Sequence, residues 1–257
     1  GEDDTMERIT STKNEYVKEL RSLRLAKYRR EYGKFLAEGR KCAEEALRYA
    51  PVEALLFLEG QEDAALLALA AEQGARQVAV SPAVMEAVSE AKSPQGMAAI
   101  VRRGGDKPFL PAGVLVALED VADPTNVGAI VRTADAIGAA GVLLSAGCAD
   151  ATSPRAVRAS MGSLFHVPVR AAEDFPAALA ALKKEGWRMV GGHLRGQDRL
   201  RPTEKSCLLI GNEARGLTLA ASALCDDLVK ITIYGQAESL NASVAAGILL
   251  YRLREGF

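Results

Sequence analysis

The residues of this chain whose types and spacing could do chemistry are Asn126, Arg132, Asn212, Glu213, Ser239 and Asn241. They fall in stretches of one form: an apolar run, a glycine or small polar turn, then a helical pattern. These are Asp120 to Gly128, Gly211 to Leu217, and Gly235 to Asn241. In open α/β sheets ligands bind at the carboxyl ends of strands, where such turns gather. None of the turns has the Gly-x-Gly-x-x-Gly spacing of a dinucleotide site or the Lys-Ser/Thr ending of a P-loop, which disfavours NAD and ATP chemistry. There is no serine elbow, no histidine beside a nucleophile and no carboxylate cluster for a metal, so the usual routes of hydrolysis are disfavoured too. Side chains of this kind, with main-chain amides, position and polarise, which suits group transfer from an activated donor. Ser239, Asn241 and Ser243 stand at a helix start and read first as caps. A bound polar ligand is the other partner that small polar side chains could find at a buried helix start. From Val244 to Leu250 almost nothing is polar, so this last helix is expected to be buried nearly all round.

The elements that must hold these turns alternate along the chain. In the second half, strands are expected at 113–120, 141–145, 187–191, 207–210 and 229–233, with helices near 126–137, 155–160 and 175–185 and the final helix after Asn241. In the first half, Thr12-Lys13-Asn14-Glu15 fits a capping box, and Val17, Leu20 and Leu23 recur at three-residue spacing, which predicts a helix from about Thr12 to Tyr32. Phe35-Leu36-Ala37 leads into a second helix at 40–49; strands at 54–58, 77–80 and 96–101 and helices at 64–72 and 82–90 follow. This is a small α/β domain. The run Arg102-Arg103-Gly104-Gly105-Asp106-Lys107-Pro108 reads as a linker, so the expected division is 1–107 and 108–257.

The chain has 257 residues, 49% of them hydrophobic and 25% charged, with a net charge of −1. Those values describe an ordinary globular protein, with no apolar run long enough to cross a bilayer. The acidic start, Gly1-Glu2-Asp3-Asp4, is unlike a secretory signal, and a cytoplasmic location is expected. Cys42, Cys148, Cys207 and Cys225 form no Cys-x-x-Cys pair, and His166 and His193 have no neighbouring ligand pattern, so neither a disulfide framework nor a metal site is suggested. Near-neutral charge argues against binding a polyanion by bulk charge. Locally the balance differs, for Lys13 to Lys41 holds ten basic residues against four acidic ones. Such a helix face either meets only water or contacts phosphates, for which Arg and Lys on a rigid element are natural donors.

At the three turns the sequence resembles the SpoU/TrmH family of RNA ribose 2'-O-methyltransferases, in the knotted SPOUT class. The resemblance lies in Asp123-Pro124-Thr125-Asn126-Val127-Gly128-Ala129-Ile130-Val131-Arg132-Thr133-Ala134, then Gly211-Asn212-Glu213-Ala214-Arg215-Gly216-Leu217, then Ile231 through Ser239-Leu240-Asn241-Ala242-Ser243-Val244-Ala245. Arg158 to Phe165 is also similar to family sequence. Phe35-Leu36-Ala37-Glu38-Gly39 and Ser93-Pro94-Gln95-Gly96 resemble the ribosomal-protein-like RNA-binding module that many members carry.

The resemblance implies a C-terminal α/β domain with a parallel sheet and a deep trefoil knot, preceded by a small α/β ribosomal-protein-like domain. It implies S-adenosyl-L-methionine held by Gly211, Ile231 and Leu240, with Ile210, Asn212, Ile233 and Asn241 close by. It implies a homodimer through the knotted domain, residues of both subunits lying near each active site. Arg132 takes the central role, binding the phosphate beside the target ribose and stabilising the developing alkoxide. Asn126 fixes the ribose or Arg132, Glu213 orients Arg132, and Ser239 and Asn241 complete the catalytic set. Arg21, Arg24, Arg29, Arg30 and Arg158 are the expected RNA contacts. The implied substrate is structured RNA, ribosomal in preference to transfer RNA; the alternative is a knotted RNA-binding protein without catalysis.

Overall fold

A computed structural model describes residues 6–256. They form two compact units: the chain up to Gly105 together with Thr152–Phe165, and Asp106–Ala151 together with the chain from His166. No helix among the described residues is long and apolar enough to cross a membrane.

The first unit opens with β1 (Met6–Ile9), α1 (Glu15–Ser22) and α2 (Ala26–Tyr32). The cap of α1 is Asn14, whose side chain accepts from the amides of Tyr16 and Val17 at 2.8 and 3.3 Å, where Thr12 is expected. The single helix expected over 12–32 is broken at Leu23–Leu25. Arg29 supplies the reason: its guanidinium returns to the carbonyls of Leu23 and Arg24, both at 2.9 Å, satisfying groups that a helix C-terminus leaves open. After Gly33, at φ +64, come β2 (Lys34–Glu38), α3 (Arg40–Tyr49), β3 (Val52–Leu58), α4 (Ala64–Gln73), β4 (Arg76–Val80), α5 (Pro82–Val88) and β5 (Met97–Arg102). Phe35-Leu36-Ala37 is thus a buried strand in its own right rather than a lead into α3.

The sheet order is β1-β4-β3-β5-β2, with β1, β4 and β3 parallel and β5 antiparallel to both β3 and β2. Side-chain alternation sends Phe35, Ala37, Leu55 and Phe57 to one core and Leu36, Ala54 and Leu56 to another, one on each face of the sheet.

The second unit begins with β6 (Gly113–Leu118), α6 (Pro124–Ala136) and β7 (Gly141–Ser145). Then α7 (Pro154–Ser160) joins the first unit: Val157 and Phe165 belong to its core, and the Phe165 ring stacks on Phe35 at 6.2 Å. A single cut near residue 107 would leave this segment out. The second unit resumes with β8 (Val169–Ala172), α8 (Phe175–Lys184), β9 (Arg188–Gln197), β10 (Lys205–Ile210), α9 (Leu219–Leu224), β11 (Asp227–Val229) and α10 (Ala242–Glu255). Its sheet, ordered β11-β9-β10-β6-β7-β8, is parallel throughout, as its near-continuous apolar strands require. The expected strand at 229–233 lies earlier, and Ile231 to Asn241 forms neither helix nor strand. The last helix buries Ala246, Leu249, Leu250 and Leu253. Val244, Ile248 and Tyr251, however, are 49%, 38% and 45% exposed, so this chain alone does not bury the helix all round.

Candidate functional site

The three chemically marked turns converge at the carboxyl ends of β6 and β10 and the start of α10. A chain of side-chain hydrogen bonds ties them together. Glu213, in the turn after β10, accepts from the amides of Ala122 and Asp123 at 2.9 and 2.8 Å and from Asn126 Nδ2 at 3.2 Å. Asn126, 6% exposed, in turn accepts from Asn241 Nδ2 at 3.2 Å. Asn241 caps α10, its Oδ1 accepting from the amides of Ser243 and Val244 at 2.9 and 3.3 Å. Partial burial pushes the Glu213 carboxyl up, but the bonds from Ala122, Asp123 and Asn126 outweigh it and hold the group below its ordinary value.

The strand ends are fixed independently. Asn212 closes its own turn, exchanging main-chain bonds with Gly216 at 3.2 and 2.9 Å while its Oδ1 accepts from Ala214 and Arg215. Its Nδ2 donates to the carbonyl of Asp120 at 2.7 Å. Asp120 adopts φ +54, a conformation in which a residue with a Cβ is strained. The Ser145 hydroxyl, which receives the Asp120 amide and donates to its carboxylate, each at 2.9 Å, holds it there. Glu119, buried behind, accepts from the amide and hydroxyl of Thr218. Gly211 has no alternative, because a Cβ would lie 2.2 Å from the carbonyl carbon of Gly216.

Beside this network is a cavity of about 480 Å³, lined among others by Ile210, Gly211, Asn212, Ile231, Ile233 and Leu240, a volume within the ordinary range for cofactors. From Ile231 to Leu240 no main-chain N–H or C=O has a hydrogen-bond partner among the described residues. Ile231 and Ile233 are half-buried and the rest of the stretch is open to solvent, so its main-chain groups are met by water and stay available to a ligand rich in donors and acceptors, such as a nucleoside. An adjoining recess is lined by Asn126, Glu213, Ser239, Leu240 and Asn241. Every residue expected to hold the cofactor therefore lines one recess or the other.

Gly192, His193, Leu194 and Arg195 also line the cavity and were not among the expected site residues. They stand at the end of β9, beyond the point where its apolar pattern stops; the signal that could have found them is that β9 neighbours β10 in a parallel sheet.

Arg132, Glu213 and Arg29 do not stand within a single chain as the sequence leads one to expect. Arg132 is exposed, lines neither recess and has no hydrogen-bond or ion-pair partner among the described residues. Within one chain Glu213 does not meet Arg132, its carboxylate being engaged with Ala122, Asp123 and Asn126. Arg29 is 3% exposed and bonded to carbonyls, so it maintains the α1–α2 corner and is not open to RNA. Of the other expected RNA contacts, Arg24 reaches the carbonyls of Ala87 and Ser89 at 2.8 and 2.9 Å. Arg158 Nη1 lies 3.8 Å from Glu38 Oε1, and Arg21 and Arg30 are exposed.

A parallel α/β unit with a cofactor-sized cavity at its strand ends, built on these three turns, marks a class, and the chain belongs to the SpoU rRNA Methylase family, whose model matches residues 113–251. The MRM3-like substrate binding domain model matches residues 14–99. Among particular relatives, the 23S rRNA (guanosine(2553)-2'-O)-methyltransferase RlmP of Bacillus subtilis is 34% identical over 97% of this chain and 100% of its own. An AdoMet-bound rRNA methyltransferase from Sinorhizobium meliloti superposes with a TM-score of 0.85 at 30% identity, covering 99% of each chain. The SpoU methyltransferase AviRb from Streptomyces viridochromogenes, in complex with AdoMet, does so at 0.84 with 28% identity, over 95% of this chain and 98% of that one.

Proposed function

We propose that the protein methylates the 2'-hydroxyl of a ribose in structured ribosomal RNA, with S-adenosyl-L-methionine as donor. The observation that carries this reading is the cofactor-sized cavity lined by the turn after β10 and by Ile231, Ile233, Ser239 and Leu240, next to the polar chain Glu213–Asn126–Asn241. The rRNA-acting relative covered over its whole length supports the choice of RNA. When bound, the donor supplies a methyl group activated on a sulfonium. Gly211, Ile231, Ile233 and Leu240 hold it, mainly through main-chain groups, and Asn126 and Asn241 hold the ribose beside it. Ordering the two reactants in line accounts for much of such a reaction's acceleration.

Arg132 lies away from the recesses of its own chain and acts in the partner subunit's site of a homodimer, neutralising the phosphate and the developing alkoxide. The apolar stripe Val244, Ile248 and Tyr251, open on the isolated chain, is the surface such a dimer buries. Threading of the last segment into a trefoil knot and RNA docking by the first unit complete the proposal.

Titration calorimetry with S-adenosyl-L-methionine tests it. Saturable binding at one site per chain is expected, weakened more than tenfold in Gly211→Ala; no binding with or without rRNA would leave an RNA-binding protein without catalysis.

A further inference from the structure

Helix α2 has no apolar anchor, for its only buried residue is Arg29. Tyr28 and Tyr32 belong to neither core cluster of the first unit. Their rings stack on each other, 6.1 Å between centroids and 19° between planes. Tyr32 is 42% exposed and Tyr28 half-buried, and neither phenol oxygen has a hydrogen-bond partner among the described residues. Lys27 Nζ stands 5.4 Å from the centre of the Tyr28 ring. Lys34 Nζ, held between Glu19 and Glu53 at 3.1 and 2.8 Å, stands 6.0 Å from that of Tyr32. Lys27 and Arg30 are exposed on the same helix, and Arg21 one helix earlier.

An i, i+4 aromatic pair steadies a helix modestly, but that does not require cations around it or leave a ring open. Stacked aromatics beside Lys and Arg are the chemistry with which proteins receive nucleobases, the rings taking the base and the cations its phosphates.

We propose that Tyr28 and Tyr32, flanked by Lys27 and Arg30, form a stacking platform for an unpaired base of the RNA substrate. The inference rests on the RNA-methylating reading above and narrows its substrate class. An A-form duplex keeps its base faces stacked inside, so only a loop, bulge or strand end can offer one. The first unit therefore selects RNA by an unpaired nucleotide as well as by phosphate charge.

The test uses the full chain with a hairpin carrying an unpaired loop and the same stem as a blunt duplex. Tyr32→Trp places a reporter on the platform; Trp187 is buried and gives a constant background. Loop RNA is expected to quench the new fluorescence and the duplex to leave it unchanged. Tyr28→Ala with Tyr32→Ala should weaken hairpin binding about tenfold or more without altering its salt dependence. Tyr32→Phe should keep wild-type affinity, and Arg30→Ala should flatten the salt dependence. Unchanged affinity in the double alanine variant, or equal quenching by duplex and loop, overturns the platform alone. A wild-type protein that binds neither RNA overturns the reading beneath it, and the platform with it.

Discussion

Asn126→Asp tests the link between the three turns without changing shape, since it replaces the Nδ2 that donates to Glu213 with an oxygen. Two carboxylate oxygens would then stand at the 3.2 Å now spanned by a hydrogen bond. At that separation Coulomb repulsion is about 1 kcal/mol at the dielectric constant of water and about 5 kcal/mol at an effective value near 20. Glu213 is largely open to solvent, which screens the repulsion toward the lower end, about 1–2 kcal/mol; residue 126 is 6% exposed, so burial of its charge adds to that cost.

That cost depends on pH in a definite direction. Repulsion raises the proton affinity of the pair in the folded state, so the deficit is full at pH 8 and shrinks as pH falls toward the carboxylate range and the pair takes up one proton. Wild-type Glu213, held below its ordinary value, keeps its contribution above its unfolded value of about 4.3 and loses it only as pH falls through the lower folded value. Thermal melting reads the difference, using the transition that S-adenosyl-L-methionine shifts, because only the unit that binds the donor responds to it. A drop of at least about 2–8 °C is expected at pH 8, and a smaller one at pH 5. Asn126→Ala loses the bonds without adding charge, so its deficit should be the same at both values. If the Asn126→Asp deficit is equally independent of pH, residue 126 and Glu213 do not face each other.

Four further outcomes follow from the structure. Gly211→Ala drives a Cβ into the main chain of Gly216 and should weaken donor binding more than tenfold in calorimetry while the first unit stays folded by circular dichroism. Arg132→Ala should leave donor affinity within about twofold and remove transfer in a turnover assay; an equal loss of affinity would show that Arg132 holds the donor rather than the RNA. Arg30→Glu should reduce the slope of log K against log salt by about 0.9 for each phosphate no longer neutralised, as read by filter binding. Arg29→Ala should instead cost stability, about 1–3 kcal/mol for the buried carbonyls it leaves unmet, as read by urea unfolding.

The site was more legible than the frame around it. Asn126, Gly211 and Asn241 each sit where an apolar run meets a small polar turn, a local pattern that strand-end geometry converts into proximity. The break between α1 and α2 has no such mark: no glycine or proline interrupts Leu23–Leu25, and the guanidinium that makes the corner is on Arg29. Val157 and Phe165 look like core residues of whichever unit they join, and only packing against Phe35 and Cys42 assigns them to the first. The unpaired main chain of Ile231 to Leu240 is hidden for a related reason, because Val229 to Ile233 reads as a strand and ladder partners leave no trace in one strand's pattern. The exposed Val244, Ile248 and Tyr251 show the opposite limit: apolarity marks a face as needing cover without saying whether the same chain provides it.

The proposal that the paired recesses align a methyl donor with a ribose hydroxyl is tested most directly by the product. Purified protein, S-adenosyl-L-methionine labelled in its methyl group and ribosomal RNA from cells lacking the protein would be incubated, and the RNA digested to nucleosides and separated. Label in a single 2'-O-methylnucleoside, absent with Arg132→Ala, is the predicted result. Label on a base, or none under conditions where the donor binds, would contradict the account.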